Sequence, residues 1–167
     1  MIIRCTQKLL AELKAHPEPH EPVTESFMDC HATLFRIQRH KCVMISNDLT
    51  LFTIFIPVLR KPAFKFFDRI VGEHFFKNLL HENIPQPQIE AVLSEFQNVS
   101  YQKTCNRSIL GSMNDLRRGV EYRIYEAGGL ERINLYELNE ELNRTFLGAI
   151  NHNYPIKIFR EMLKSIG

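Results

Sequence analysis

The chain has 167 residues, enough for one domain with a substantial core, and its 44% hydrophobic and 24% charged content is that of a globular protein. A formal net charge of +2 gives no global argument for nucleic acid or an anionic membrane. Cys5, Cys30, Cys42 and Cys105 are widely spaced and contain no C-x-x-C, which argues against a compact zinc site and fits free thiols in a reducing cytoplasm. No apolar run reaches the roughly 18 to 20 residues that span a bilayer, and the N-terminus lacks the apolar stretch of a secretory signal. The expected compartment is the cytoplasm, with no membrane, metal or cofactor.

Residues 2–5 read as a short strand, and Thr6 can cap a helix that buries Leu9, Leu10 and Leu13. Three prolines in residues 16–22 make that stretch an extended loop, so His16 and His20 lack the helical frame that metal ligands at this spacing use. The clearest β region is 31–58, with strands at 32–38, 41–46 and 50–58 joined as an antiparallel meander. Leu51, Phe52, Ile54, Phe55 and Ile56 show no clean alternation, which predicts a central strand covered on both faces.

Pro62 suits the first turn of a helix running to Leu80, whose Phe64, Phe67, Phe75 and Leu79 face a core. A second helix buries Ile89, Val92 and Phe96, and residues 99–104 form another strand. Ile109, Met113, Leu116, Val120 and Ile124 repeat at helical spacing, predicting a long helix that starts near Ser108 and stops at Gly128-Gly129. Helices at 134–147 and 156–163 follow. With no linker and no repeat, residues 1–167 are expected to form a single α+β domain. Its mostly antiparallel sheet of four to five strands would be packed by about five to six helices.

Polar residues of chemical interest crowd together at the start of the long helix. A strand-to-helix junction exposes backbone N–H groups, and Arg107 adds a full positive charge beside them, so a carboxylate or phosphate can dock there. The plainer reading is that Asn106 or Ser108 caps the helix. Ser108, Ser112 and Asp115 form a polar stripe, Ser112, Asn114 and Asp115 point in three directions around the helix, Asp115 can pair with Arg118, and Gly111 and Gly119 suggest close approach by a ligand or by another backbone. Asn47-Asp48 resembles Asn114-Asp115, and both could face one cleft, although Asn-Asp in a short connection is ordinary turn chemistry.

A nucleophile needs a base, and Ser108, Ser112 or Cys105 would need His31, His40 or His74 brought to it by the fold. No G-x-S-x-G elbow is present, and no spacing selects one combination.

Three blocks carry a resemblance. They are Ile3-Arg4-Cys5-Thr6-Gln7-Lys8-Leu9-Leu10, the strand from His31 continuing to Ser46-Asn47-Asp48, and Asn106-Arg107-Ser108-Ile109-Leu110-Gly111-Ser112-Met113-Asn114-Asp115. Together they resemble a bacterial family catalogued as domain of unknown function 6933, and the last block is the most specific. The resemblance covers most of the chain and implies no activity. Leu142-Asn143-Arg144-Thr145 with Tyr154-Pro155 is also similar to the tail of some transposases and integrases, but no acidic triad accompanies it.

Three functions follow as expectations. The first is a non-catalytic binding or regulatory module that meets a protein partner or a small anionic ligand. Its ligand-binding residues would be Asn106, Arg107, Ser108, Ser112, Asn114 and Asp115 with Asn47 and Asp48. The second is a small hydrolase or transferase using Cys105 or Ser108 with His31 and Asp115. The third is a nucleic-acid binder using Arg36, Arg39, Lys41, Arg60, Lys61 and Lys65, for which a surplus of positive charge is lacking.

Overall fold

The computed structural model describes residues 1–17 and 26–166. Its strands are β1 (Ile2–Cys5), β2 (Cys30–Ile37), β3 (His40–Asn47), β4 (Thr53–Ile56) and β5 (Ser100–Lys103), and they form one sheet in the order β4-β3-β2-β1-β5. The sheet is mixed but mostly antiparallel: β1 runs parallel to β2 and β5, whereas β2–β3 and β3–β4 are antiparallel. Six α-helices among the described residues complete a single α+β domain. They are α1 (Gln7–Leu13), α2 (Phe67–His81), α3 (Gln86–Ser94), α4 (Arg107–Ala127), α5 (Leu135–Asn143) and α6 (Pro155–Lys164). None is long and apolar enough to cross a membrane.

Alternation along the strands sends apolar side chains to both faces, so there are two cores. On one face Ile3, Cys5, Cys30, Ala32, Val43, Ile45, Ile54 and Ile56 pack with α2, α3 and α6, where Phe52 and Phe159 stack at 4.3 Å between ring centroids. On the other, Phe35, Met44 and Phe55 meet the α4 stripe Ile109, Met113, Leu116, Val120 and Ile124 and the α5 residues Leu138 and Leu142. All five periodic residues of α4 are buried, and Gly128 ends that helix at φ 83°.

Several boundaries differ from the sequence reading. Lys61–Phe66 is a 3-10 turn that precedes α2, and α5 ends at Asn143, not at residue 147. Thr6 stands at the cap of α1 but makes no side-chain cap bond. The hairpin turn falls on Gln38 and Arg39, both at positive φ, so His40 opens β3. Most of residues 16–22, His20 included, lies outside the described residues.

The larger correction concerns the strand expected at the centre of the sheet. β4 is covered on both faces, as its unbroken apolar run demands, yet it lies at the sheet edge. The reason is α5. Asn143 Oδ1 accepts from Thr53 N–H at 2.7 Å and its Nδ2 donates to Thr53 C=O at 2.8 Å, while Asn139 does the same at Phe55, at 2.8 and 3.4 Å. Two carboxamides one helical turn apart thus stand in for a neighbouring strand and close an edge that would otherwise recruit another chain.

Removing either amide strands a buried N–H. Asn143→Ala is therefore expected to lower the unfolding free energy by about 1–3 kcal/mol in urea titrations, and a change under about 0.5 kcal/mol would contradict the role assigned to it. Gly111 and Gly119 behave oppositely. Both face open space, with no neighbouring heavy atom within 4 Å of an added Cβ, so the close approach expected from the sequence is absent. Gly111→Ala and Gly119→Ala should each raise stability by about 0.5–1 kcal/mol, read by the same titration.

Candidate functional site

One cross-strand row of the sheet is polar from end to end. Register aligns Gln102 on β5 with Arg4 on β1, Arg4 with His31 on β2, His31 with Ser46 on β3, and Ser46 with Thr53 on β4. Every one of these side chains is buried. At the β4 end the row is satisfied: Thr53 Oγ1 donates to Leu51 C=O at 2.7 Å, so Ser46 Oγ must donate to Thr53 across 2.7 Å.

The centre of the row is ionic. Arg4, 7% exposed, donates from Nη1 to Asp48 Oδ2 at 2.6 Å and from Nη2 to Asp29 Oδ2 at 3.3 Å. Asp29 Oδ1 also accepts from Ile2 N–H at 2.7 Å. Burial pushes the Asp29 carboxyl above its ordinary range, outweighing the opposite pull of the Ile2 N–H and of Arg4. His31, 1% exposed, places Nδ1 2.7 Å from Asp48 Oδ1. Its Nε2 receives the backbone N–H groups of Cys105 at 3.4 Å and Asn106 at 3.3 Å. Two donors aimed at Nε2 require a lone pair there, which puts the ring proton on Nδ1, facing Asp48. Arg4 Nε and both amide atoms of Gln102 are buried without a protein partner.

This network opens on a cleft of about 380 Å³. Arg4, Asp29, His31 and Asp48 form its polar wall; Cys105, Asn106 and Ile109 at the start of α4 face them, with Leu49 and Ser26 also lining it. Among the described residues no three His, Cys, Asp or Glu side chains are grouped to hold a metal ion.

The structure divides the sequence-predicted residues. Asn47 and Asp48 split the two roles considered for them. Asn47 is wholly inside, its Oδ1 accepting from Leu49 N–H, Thr50 N–H and the Thr50 hydroxyl, and its Nδ2 donating to Phe27 and Asp29 carbonyls. Asp48 belongs to the cleft. Cys105, the exposed cysteine of the four, and Asn106 are brought to His31.

Asn106 also caps α4, accepting from Ser108 N–H at 2.9 Å and Ile109 N–H at 3.2 Å. Arg107, Ser108 and Asn114 are exposed on the helix. Ser112 Oγ donates to Ser108 C=O at 3.1 Å, and Asp115 pairs with Arg118 at 3.3 Å. None of these five residues lines the cleft. His40 is exposed at the hairpin and His74 lies on α2, so neither lines the cleft with Cys105.

Sequence reasoning missed Arg4, Asp29 and Gln102. The signal for Arg4 was a cation set inside the apolar Ile2-Ile3-Arg4-Cys5 strand, which demands a buried counter-charge. Asp29 and Gln102 carry no comparable signal.

The sequence profile of a family described as Domain of unknown function (DUF6933) matches residues 2–158. No curated protein and no solved structure matches the chain.

Because Asp29 and Asp48 are held against one guanidinium, Arg4→Met leaves a buried and a partly buried carboxylate without their cation. Unfolding titrations should show a loss of about 3–5 kcal/mol for it, against less than about 0.5 kcal/mol for Arg118→Ala on the surface of α4.

Proposed function

The chain belongs to the family described as Domain of unknown function (DUF6933), and since membership assigns no activity we propose, from the chemistry of the cleft, that the domain is a non-catalytic binding module for a small polar ligand. The observation that carries this reading is the Arg4–Asp48–His31 network, in which a buried guanidinium and a buried imidazole converge on a partly exposed carboxylate and all three residues line a cleft.

Charge selects the ligand class. Asp29 and Asp48 outnumber Arg4, so an anion entering the cleft meets a surplus of carboxylate, and a neutral or cationic ligand rich in N–H or O–H donors fits better. The cleft volume suits a molecule of metabolite size. Leu49, exposed at the rim, adds an apolar contact.

A thiol enzyme is the second reading, favoured by one observation. Cys105 is exposed and shares the cleft with an Asp48–His31 pair. Against it, the Nε2 that would take the thiol proton already accepts the Cys105 and Asn106 backbone N–H groups.

Small amines, polyols and carboxylates screened by protein-observed NMR separate the readings. Binding is expected from amines and polyols, with shifts at the Cys105 and Asn106 amides, and Asp48→Asn should weaken it by about tenfold or more. Binding confined to carboxylates, or no binding at these amides, would sink the proposal. Cys105 alkylation by iodoacetamide that slows at least about tenfold in His31→Gln would favour the thiol enzyme instead.

A further inference from the structure

A second concavity, of about 530 Å³, lies between α1, the hairpin end of β2–β3 and α4. Its lining carries Lys8, Arg36, Lys41 and Arg117 against a single carboxylate, Glu12. Lys41 Nζ sits 2.5 Å from Glu12 Oε1, and Arg117 Nε is 3.1 Å from Glu121 Oε1 on the next helical turn. After both carboxylates are counted, the pocket keeps a surplus of two positive charges, as large as the formal +2 of the entire chain.

The cations are positioned from below. The Arg117 guanidinium lies 5.3 Å from the centroid of the buried Phe35 ring, and Lys41 Nζ lies 5.7 Å from that of Phe64.

The backbone contributes as well. β1 pairs with β2 only as far as Ala32, whose C=O accepts from Thr6 N–H. Beyond that point, among the described residues, β2 has no strand on this side. Backbone groups alternate in direction along a strand, so the N–H and C=O groups of Leu34 and Arg36 point the same way as the Ala32 C=O, and both residues line the pocket.

We propose that this pocket is a binding site for a small phosphorylated compound, whose phosphate oxygens are held by Lys8, Arg36 and Arg117 with the β2 edge beneath. The volume, within the range of small-molecule sites, favours a compact ligand over a nucleic-acid strand, which needs an extended basic track. Guanidinium groups match phosphate oxygens in pairs. The site is separate from the carboxylate-rich cleft and stands whether or not that cleft binds a ligand.

Isothermal titration with inorganic pyrophosphate at constant ionic strength tests the assignment. One saturable site is expected, weakened at least about tenfold by the double substitution Lys8→Ala and Arg36→Ala, and unaltered by Arg107→Ala, which lies outside the pocket. Lys8 and Arg36 are exposed, so circular dichroism should show the variant folded. Absence of saturable binding, or binding that the double variant leaves intact, overturns the proposal. So does tighter binding of a single-stranded oligonucleotide that falls steeply with salt and is lost on substituting Arg60, Lys61 and Lys65, since the basic surface would then be a nucleic-acid track.

Discussion

A guanidinium buried in the middle of a sheet constrains everything around it. Arg4 sits on β1, between two other strands, where only a small part of it meets the water of the cleft and its charge is poorly solvated. The chain answers with two carboxylates from different places, Asp29 just before β2 and Asp48 just after β3. Each is tied further. Asp29 holds the Ile2 N–H at the start of β1, and Asp48 holds His31, which in turn receives the first backbone groups leading into α4. One charge therefore fixes the end of the sheet, the β3–β4 turn and the start of the longest helix relative to one another. The cleft is the outer surface of that arrangement.

The same charge specifies register. Arg4 faces the side of the sheet that α4 and α5 cover, while Ile3 and Cys5 face the opposite core. A slip of one residue in β1 would drive the guanidinium into an apolar interior and turn Ile3 or Cys5 toward Asp29 and Asp48. The polar row extends this logic to the far edge, where Asn143 reaches Thr53. Buried ion pairs add little net stability compared with apolar packing, and here the network's contribution is to make the alternative registers much worse.

What the sequence discloses is local. The α4 periodicity, the Asn106 cap and the Gly128 stop are all written in the one continuous stretch 106–128, and the structure has all three. The unbroken apolar run in β4 correctly implied two covered faces, but it cannot say whether a strand or a helix supplies the neighbour, because the Asn139 and Asn143 amides lie more than eighty residues away. The polar stripe Ser108, Ser112 and Asp115 looked functional because it runs beside an apolar one, and any amphipathic surface helix has such a stripe. The cleft was half legible. Cys105, Asn106, His31 and Asp48 stand out as residue types, whereas Arg4 is joined to His31 by parallel pairing, which does not name its partners at short range, and Asp29, two residues before His31, is unremarkable as a residue type.

The near-zero net charge hides a separation along the β2–β3 hairpin. Asp29 and Asp48 flank its open end, and Arg36, Arg39 and Lys41 flank its turn. Eight-residue strands hold the two ends roughly 20–25 Å apart, well beyond a Debye length of about 8 Å at physiological salt. Neither end therefore neutralises the other in solution, and each presents its own sign to whatever approaches. A whole-chain charge cannot choose between cationic and anionic partners for such a molecule. The choice is made separately at each end: by carboxylates locked onto Arg4 beside His31, and by guanidinium and ammonium groups spread over the Phe35 and Phe64 rings.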